Sequence, residues 1–248
     1  MRLDLFELAV VAVVFILAGV IKGVIGLGLP TIAMGLLGSL MAPGQAAAVL
    51  IVPALLTNVW QMWDGPALMM LLRRLWPMLV CALLGTLPAA GILTQANVRL
   101  TTALLGAVLV AYALIGLVGV HFKVLRRAEA MLGPLVGLTT GLINGATGIF
   151  VIPGVPYVQA LDLGKDELVQ ALALSAFVSS IALALGLGLN HGLGGAIALP
   201  AVVALIAAFA GMAIGKALRS KLSVTVFQRA VLIGLLALGC SMVARLVI

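Results

Sequence analysis

Two polar side chains stand inside apolar runs at equivalent places in the two halves of the chain. Lys22 lies about sixteen residues into the first run, and Asn144 follows it at an offset of 122 residues. A cation so far inside an apolar segment is expensive and usually functional, whereas an asparagine amide both donates and accepts hydrogen bonds. One positive charge with neutral donors would suit a small anion. The alternative is that Lys22 extends to a nearby membrane interface.

Both polar residues lie within a glycine-rich stretch that ends in proline. The stretch around Lys22 runs over residues 19–30 and the stretch around Asn144 over residues 141–153. Glycines spaced three and four apart, a polar residue and a proline interrupt a helix. The chain therefore reads as a duplicated unit with one helix break in each copy. The glycines that coincide at the same offset are Gly19 with Gly141, Gly23 with Gly145 and Gly26 with Gly148.

The composition places these breaks in a membrane. The chain has 248 residues, of which 64% are hydrophobic and 8% are charged. A soluble domain has about 25% charged residues. Apolar runs of about 18 residues or more recur along the chain, and each is long enough to cross a bilayer. The sequence predicts an all-α polytopic membrane protein in one membrane domain.

The duplication predicts two repeats, residues 1–122 and residues 123–248. Each is expected to begin with a broken or hairpin helix, at about 6–41 and 131–161, and to continue with three transmembrane helices. Three further crossings are an odd number, so the second repeat would be inverted relative to the first. Inverted repeats with broken helices that meet near the midplane are a transporter architecture.

The distribution of Lys and Arg favours the hairpin arrangement. If each broken segment crossed as one helix, there would be eight crossings and the cations would divide seven to five. With hairpins they divide nine to three, as the positive-inside rule expects. The basic segments 73–74, 123–127, 165 and 216–221 are then cytoplasmic, and both termini lie outside. The three cations on the outer side would be Arg2, Arg99 and Arg245.

Irregular backbone in a bilayer is tolerated only where protein or a water-filled cavity surrounds it, so two breaks predict a cavity. Helix N-termini expected at Thr31 and near Gly148 would point free N–H groups and a positive dipole end into it. Helix N-termini of this kind favour anions. Thr57 and Asn58 fall opposite Ser179 and Ser180 at the same offset. The predicted substrate-binding residues are Lys22, Gly26, Gly28, Thr31, Asn58, Asn144, Gly145, Thr147 and Gly148.

Other chemistries find no support in the residue pattern. A cation carrier or proton relay would want a carboxylate deep in the membrane, and all seven acids lie at the ends of runs or in loops. His121 and His191 lie in loops without metal-ligand spacing, and Cys81 and Cys240 read as small core residues. We therefore expect no catalytic residue, no metal and no cofactor. The acids are Asp4, Glu7, Asp64, Glu129, Asp162, Asp166 and Glu167.

At the two glycine-rich stretches the sequence resembles the sulfite exporter TauE/SafE family of bacterial membrane permeases. Residues 22–30 look like that family's first signature and residues 144–153 like its second. The resemblance extends over the whole chain and implies transport of sulfite, sulfonate or sulfoacetate-like anions across the cytoplasmic membrane. The sequence departs from the pattern at Ile149 and Phe150, where the second signature often has further glycines. Bulky residues there would narrow the pocket or move the ligand toward the first break.

The leading hypothesis is an alternating-access transporter of a small anion, with the lipid bilayer as its other partner and no nucleic acid. The substrate would lie between the two breaks. An anion channel and a membrane-embedded enzyme or assembly factor are the alternatives. The enzyme is the weaker of these, because no nucleophile, metal set or acid–base pair is visible in the sequence.

Overall fold

The computed structural model describes residues 5–119, 122–190, 192 and 197–245, and it has no strand among them. Arg2, Asp4, His121 and His191, which carried sequence predictions, lie outside this described part. The helices are α1 (Leu5–Ile25), α2 (Leu29–Leu40), α3 (Pro43–Trp63), α4 (Leu68–Gln95), α5 (Val98–Val118), α6 (Arg126–Thr147), α7 (Gly154–Gln159), α8 (Lys165–Leu189), α9 (Ala198–Leu218) and α10 (Val224–Ala244).

Seven of these helices are long and apolar enough to cross a membrane, namely α1, α3, α4, α5, α8, α9 and α10. The other three helices are too short or not apolar enough to count with these seven. α2 has 12 residues and α7 has six, whereas α6 has 22 residues but is less apolar than the seven. The expected all-α polytopic membrane fold is confirmed.

One helix start predicted from the sequence is wrong by about two turns, because the run expected over residues 75–93 is α4 (Leu68–Gln95). Pro43 and Gly44, whose composition is typical of a turn, belong to the first turn of α3. Proline fits a first turn because it has no N–H to leave unpaired there. Arg73 and Arg74, expected before a helix, lie inside α4. Lys216, the first residue of the basic segment 216–221, belongs to the last turn of α9. Arg and Lys are good helix formers, so the helices continue through these basic positions.

The helices pack in pairs that correspond between the two halves. α1 packs along α9, α6 packs along α4, α5 packs against α10, and α3 packs against α8 in the middle of the bundle. Glycine forms the close seams of the first two pairs. A Cβ atom on Gly19 would lie 2.4 Å from Ala208 O, and one on Gly141 would lie 2.1 Å from Ala82 O. Small residues of this kind let the backbones of membrane helices approach closely.

The same contacts give the directions of the helices in the first two pairs. α1 runs parallel to α9, because Gly19 faces Ala208 and Gly23 faces Met212. α6 runs parallel to α4, since Gly141 faces Ala82 and Gly145 faces Thr86.

The other two pairs are antiparallel. α5 and α10 run in opposite directions, because Gly106 faces Gly239 while Gly116 faces Leu232. α3 and α8 do so as well. Gln170, near the start of α8, donates a hydrogen bond to Met62 O at the end of α3, at 2.8 Å.

Polar contacts hold the returning ends of both broken segments. The Val124 N–H donates to Ala160 O at 2.9 Å, which joins the residues just before α6 to those just after α7. Arg74 forms two hydrogen bonds with the Glu129 carboxylate, at 2.6 and 2.9 Å, and a third with Leu161 O at 2.8 Å. The segment α6–α7 therefore returns to the end of the bundle where it starts.

The end of α2 is held at a different place. Arg245 Nη1, just after α10, donates to Ser39 O at 3.0 Å. α9 and α10 are joined by a short connection, so α9 begins at the end of the bundle where α10 finishes. α1 runs parallel to α9 and starts there too. The segment α1–α2 also returns to its starting end, which we call the Ser39 end; the opposite end, where α6 starts, is the Ala160 end.

Candidate functional site

The two breaks are built in the same way. Gly26 follows α1 with φ +87° and Gly148 follows α6 with φ +73°, a left-handed conformation that side chains rarely adopt. The Gly26 N–H donates to Lys22 O and the Gly148 N–H to Asn144 O, both at 2.7 Å. This single 5→1 bond is the αL ending of a helix. Lys22 and Asn144 therefore lie one turn before their breaks.

Lys22 is buried, with 3% of its surface exposed, and its hydrogen-bond partners are neutral. Its Nζ donates to Thr57 Oγ1 at 3.1 Å and to Asn58 Oδ1. The two ion pairs in the described part of the chain involve Arg74 with Glu129 and Lys123 with Asp162. A buried charge without a counter-ion is costly. The Lys22 Nζ thus has no carboxylate partner among the neighbouring described side chains, and a bound anion would stabilise its charged form.

Asn144 repeats this geometry in the second half. It is 2% exposed, and its Nδ2 donates to Ser179 O at 3.0 Å and to Thr86 Oγ1 at 3.3 Å. Thr57 and Ser179 correspond at the offset of 122 residues. Lys22 therefore bonds the side chains of Thr57 and Asn58 on α3, whereas Asn144 bonds only the Ser179 backbone on α8. Ser180, aligned with Asn58, bonds Ala176 O instead.

Two predicted site residues carry buried polar atoms that make no hydrogen bond. They are Asn58, whose Nδ2 has no partner while its Oδ1 accepts from Lys22, and Thr31, whose hydroxyl has none. Both residues are no more than 2% exposed. An unsatisfied buried donor costs about 1–3 kcal/mol. Two donors therefore remain available close to the first break.

Two small cavities lie at the breaks, each about 10 Å³. We call them the Lys22 cavity and the Asn144 cavity after their main polar residues. Pro30 and Phe150 line both cavities. A volume of this size is about that of one water position, which is smaller than a sulfur oxyanion. The Lys22 cavity is also lined by Gly26, Gly28, Asn58 and Gln61. The Asn144 cavity is also lined by Gly148, Ser179 and Ser180.

The second break differs from its expected form. α7 begins only at Gly154, whereas Gly148 ends α6, so the helix N-terminus expected near Gly148 is wrong. In the first half α2 begins at Leu29, with Gly28 before it at φ +108° and Pro30 in its first turn. The first break therefore ends in a helix N-terminus close to the position expected at Thr31. The difference arises because Pro153 comes after five residues of irregular chain, whereas Pro30 directly continues the helix start.

Two predicted residues of the second break face elsewhere. Gly145 packs against α4, where a Cβ atom would lie 2.4 Å from Thr86 O. Thr147 donates to Ile143 O at 2.7 Å and accepts from the Ile149 N–H at 3.3 Å. Neither lines the Lys22 or the Asn144 cavity.

Gln61 is a site residue that the sequence reasoning missed. Its Nε2 donates to Gly26 O at 2.6 Å and it lines the Lys22 cavity. It stands three residues after Asn58, so the two amides lie on one face of α3. That spacing in an apolar helix was the available signal. Thr86, which binds Asn144, had no comparable signal, because a lone threonine in a membrane helix usually bonds its own backbone.

In the described residues no group of three or more His, Cys, Asp or Glu side chains could hold a metal ion. The polar groups at the breaks are an ammonium, amides, hydroxyls and backbone atoms. Such a set can neutralise and hydrogen-bond an anion.

No curated protein and no solved structure is detectably similar to the chain. The two breaks, the helix pairs and the seven apolar helices all fall within residues 11–242 apart from their outermost turns. These are the residues that match a known family of membrane transporters. The chain belongs to the sulfite exporter TauE/SafE family.

Proposed function

We propose that the chain carries a small anion of the sulfite, sulfonate or sulfoacetate-like class across the cytoplasmic membrane by alternating access. The observation that carries this proposal is the buried Lys22 side chain, whose Nζ has neutral partners and which lines a cavity at the first break. An anion in that cavity would supply the missing counter-charge. The free Asn58 amide, which lines the same cavity, would add a hydrogen bond, whereas Thr31 lines neither cavity.

The backbone of the first break supports the same assignment. Gly26 and Gly28 line the Lys22 cavity, so a ligand can approach main chain that no side chain shields. The N-terminus of α2 begins at this point and has no side-chain cap. Its first N–H groups and positive dipole end favour an anion. Asn144 and Gly148 would complete the site from the second break.

The alternating-access part of the proposal rests on the helix pairs. We infer that the two halves are inverted repeats, because α1–α2 returns to the Ser39 end and α6–α7 to the Ala160 end. The pairs α1–α9 and α4–α6 then exchange under a two-fold operation that also maps α3 onto α8. Rocking of such related units around a central site is a known route of alternating access. The small cavities would widen as the units move.

The proposal is tested by uptake of labelled sulfite, methanesulfonate and sulfoacetate into proteoliposomes. For the anion that is carried, we expect Lys22→Ala to lower flux at subsaturating concentration by at least tenfold. A hydrogen bond to a charged group contributes about 1.5–3 kcal/mol, which is a factor of roughly 10 to 150.

The control is Lys123→Ala, which removes a lysine whose side chain is 82% exposed. It should leave flux unchanged. Equal flux and affinity in Lys22→Ala and in the unaltered chain would contradict the role given to Lys22. Saturable flux with counterflow would distinguish a carrier from a channel.

A further inference from the structure

Phe150 lies where the two cavities approach each other. It lines both the Lys22 and the Asn144 cavity and is 4% exposed. Pro30 is the other residue shared by the two cavities. Each cavity is about 10 Å³, so neither alone accommodates an organic anion. A ligand longer than one small group has to occupy both cavities and pass these two side chains.

Of these two residues, Phe150 is the one free to move. Pro30 is held in the first turn of α2, and its ring is fixed to the backbone. Phe150 belongs to residues 149–153, which lie between α6 and α7 outside any helix. Its side chain has rotatable χ1 and χ2 angles, and no helical ladder holds its backbone. A ligand can therefore displace Phe150 more easily than Pro30.

The two halves differ at this position. The residue equivalent to Phe150 at the offset of 122 is Gly28, which has no side chain and also lines the Lys22 cavity. The space between the cavities is thus bounded by Pro30 from the first half and by the larger Phe150 ring from the second. Removal of the Phe150 ring would make the two breaks more alike and would leave Pro30 as the residue shared by the two cavities.

The cavities also differ in chemistry. The Lys22 cavity holds an ammonium and the Asn58 amide. The polar groups of the Asn144 cavity are uncharged, and much of its wall is apolar, from Leu50, Ile51, Ala54 and Leu183. A matching ligand has one anionic head for the first cavity and a short uncharged tail for the second.

We propose that Phe150 determines specificity by limiting the length of the uncharged tail of an anion whose head binds at Lys22. This inference rests on the proposed function and narrows its substrate class to monoanions with a very small tail, of the alkanesulfonate type. The Phe150 ring stands at the boundary that the tail has to cross. An additional methylene in a closely fitting pocket changes affinity by about 10–200-fold.

The test measures how methane-, ethane- and propanesulfonate compete with uptake of the labelled anion in proteoliposomes. In the unaltered chain, each added methylene should weaken competition by about tenfold or more. In Phe150→Ala, propanesulfonate should gain at least tenfold relative to methanesulfonate. Phe150→Trp enlarges the ring and should move the same ratio the other way.

The matched control is Ile149→Ala, which removes bulk from the same irregular segment. Ile149 is fully buried but lines neither cavity. It should keep the competition ratios of the unaltered chain. Size-exclusion profiles in detergent identify folded variants, and Phe150→Leu replaces Phe150→Ala in the comparison if the alanine variant does not fold.

The outcomes separate the two proposals. Unchanged ratios in folded Phe150 variants, or an equal gain in Ile149→Ala, would overturn the role of Phe150 and leave anion transport standing. An unaltered chain that takes up none of the labelled anions would overturn the proposed function, and this inference with it.

Discussion

At the scale of single residues, the candidate site is defined by Lys22 and by its two neutral hydrogen-bond acceptors. Lys22 donates to Thr57 and to the Asn58 carbonyl oxygen. Those acceptors carry partial charges, and the Asn58 Nδ2 remains without a partner. A carboxylate in the place of Asn58 would satisfy the lysine fully. The neutral amide keeps the ammonium available for an anion.

This argument predicts opposite effects on stability and on transport for Asn58→Asp. The new carboxylate would pair with Lys22, with an attraction of about 4 kcal/mol at 4 Å and an effective dielectric constant of 20, partly offset by its desolvation. We expect an unchanged or higher Tm in detergent and at least a tenfold loss of anion flux.

The matched control for this change is Ser180→Asp, at the equivalent position of the second half. Ser180 lines the Asn144 cavity, whose lining residues include no cation. The same added charge should therefore be unpaired there and should lower the Tm. If both variants lowered the Tm alike, Lys22 would not be the free cation described here.

At the scale of helices, the two seams of glycine hold each broken segment against its neighbour. α1 meets α9 through Gly19 and Gly23, and α6 meets α4 through Gly141 and Gly145. Gly85 of α4 meets Leu138 O of α6 as Gly211 of α9 meets Ile16 O of α1. The two seams therefore use equivalent residues. Since the breaks follow directly, the seams set where Lys22 and Asn144 stand.

We expect Gly141→Ala to destabilise the folded protein by about 1–3 kcal/mol, the usual cost of overpacking. Its Cβ would lie 2.1 Å from the Ala82 backbone oxygen, so α4 and α6 would have to separate. Thermal unfolding in detergent measures this change. Gly19→Ala should cost a similar amount, because its Cβ would lie 2.4 Å from Ala208 O.

The control for both variants is Gly234→Ala in α10, where nothing lies within 4 Å of an added Cβ. Alanine is the better helix former by about 0.5–1 kcal/mol, so this variant should be neutral or slightly stabilised. Equal losses at Gly234 and Gly141 would show that the seam is not responsible.

At the scale of the whole molecule, the directions of the helices divide the basic residues between the two ends of the bundle. The loops and helix ends around residues 122–126, 160–165 and 218–224 lie at the Ala160 end, together with the start of α4. Arg99 and Arg245 lie at the Ser39 end. By the positive-inside rule, we expect the Ala160 end to face the cytoplasm. The basic residues at the Ala160 end are Arg73, Arg74, Lys123, Arg126, Arg127, Lys165, Lys216, Arg219 and Lys221.

This orientation predicts which positions a membrane-impermeant maleimide can reach. With Cys81 and Cys240 replaced by Ala, a cysteine in place of Arg99 should be labelled on intact cells. A cysteine in place of Lys123 should be labelled only after permeabilisation. Both native residues are exposed in the bundle, so labelling reports sidedness and not burial. The reverse pattern would place the Ala160 end outside.

The sequence by itself determined the membrane class and the positions of the two breaks, while the duplication it indicates stays a prediction. These follow from local properties, because apolar length, glycine spacing and a nearby proline act within one stretch of chain. The equivalence of Gly26 with Gly148, and of Lys22 with Asn144, was readable for the same reason. The start of α3 at Pro43 and the start of α4 before Arg73 could not be predicted from the sequence, because proline and arginine occur both at helix ends and in loops.

Only the tertiary structure decided what surrounds the breaks. Lys22 meets Thr57 and Asn58 about 35 residues away, and no local pattern gives the distance between two helices. Gly145, predicted at the site, was placed in a helix seam because α4 packs there. Phe150 was placed between two cavities because both broken segments converge on it. The burial of a side chain, the lack of a partner for a donor and the lining of a cavity each depend on several helices. They are therefore decided only when the helices have packed together.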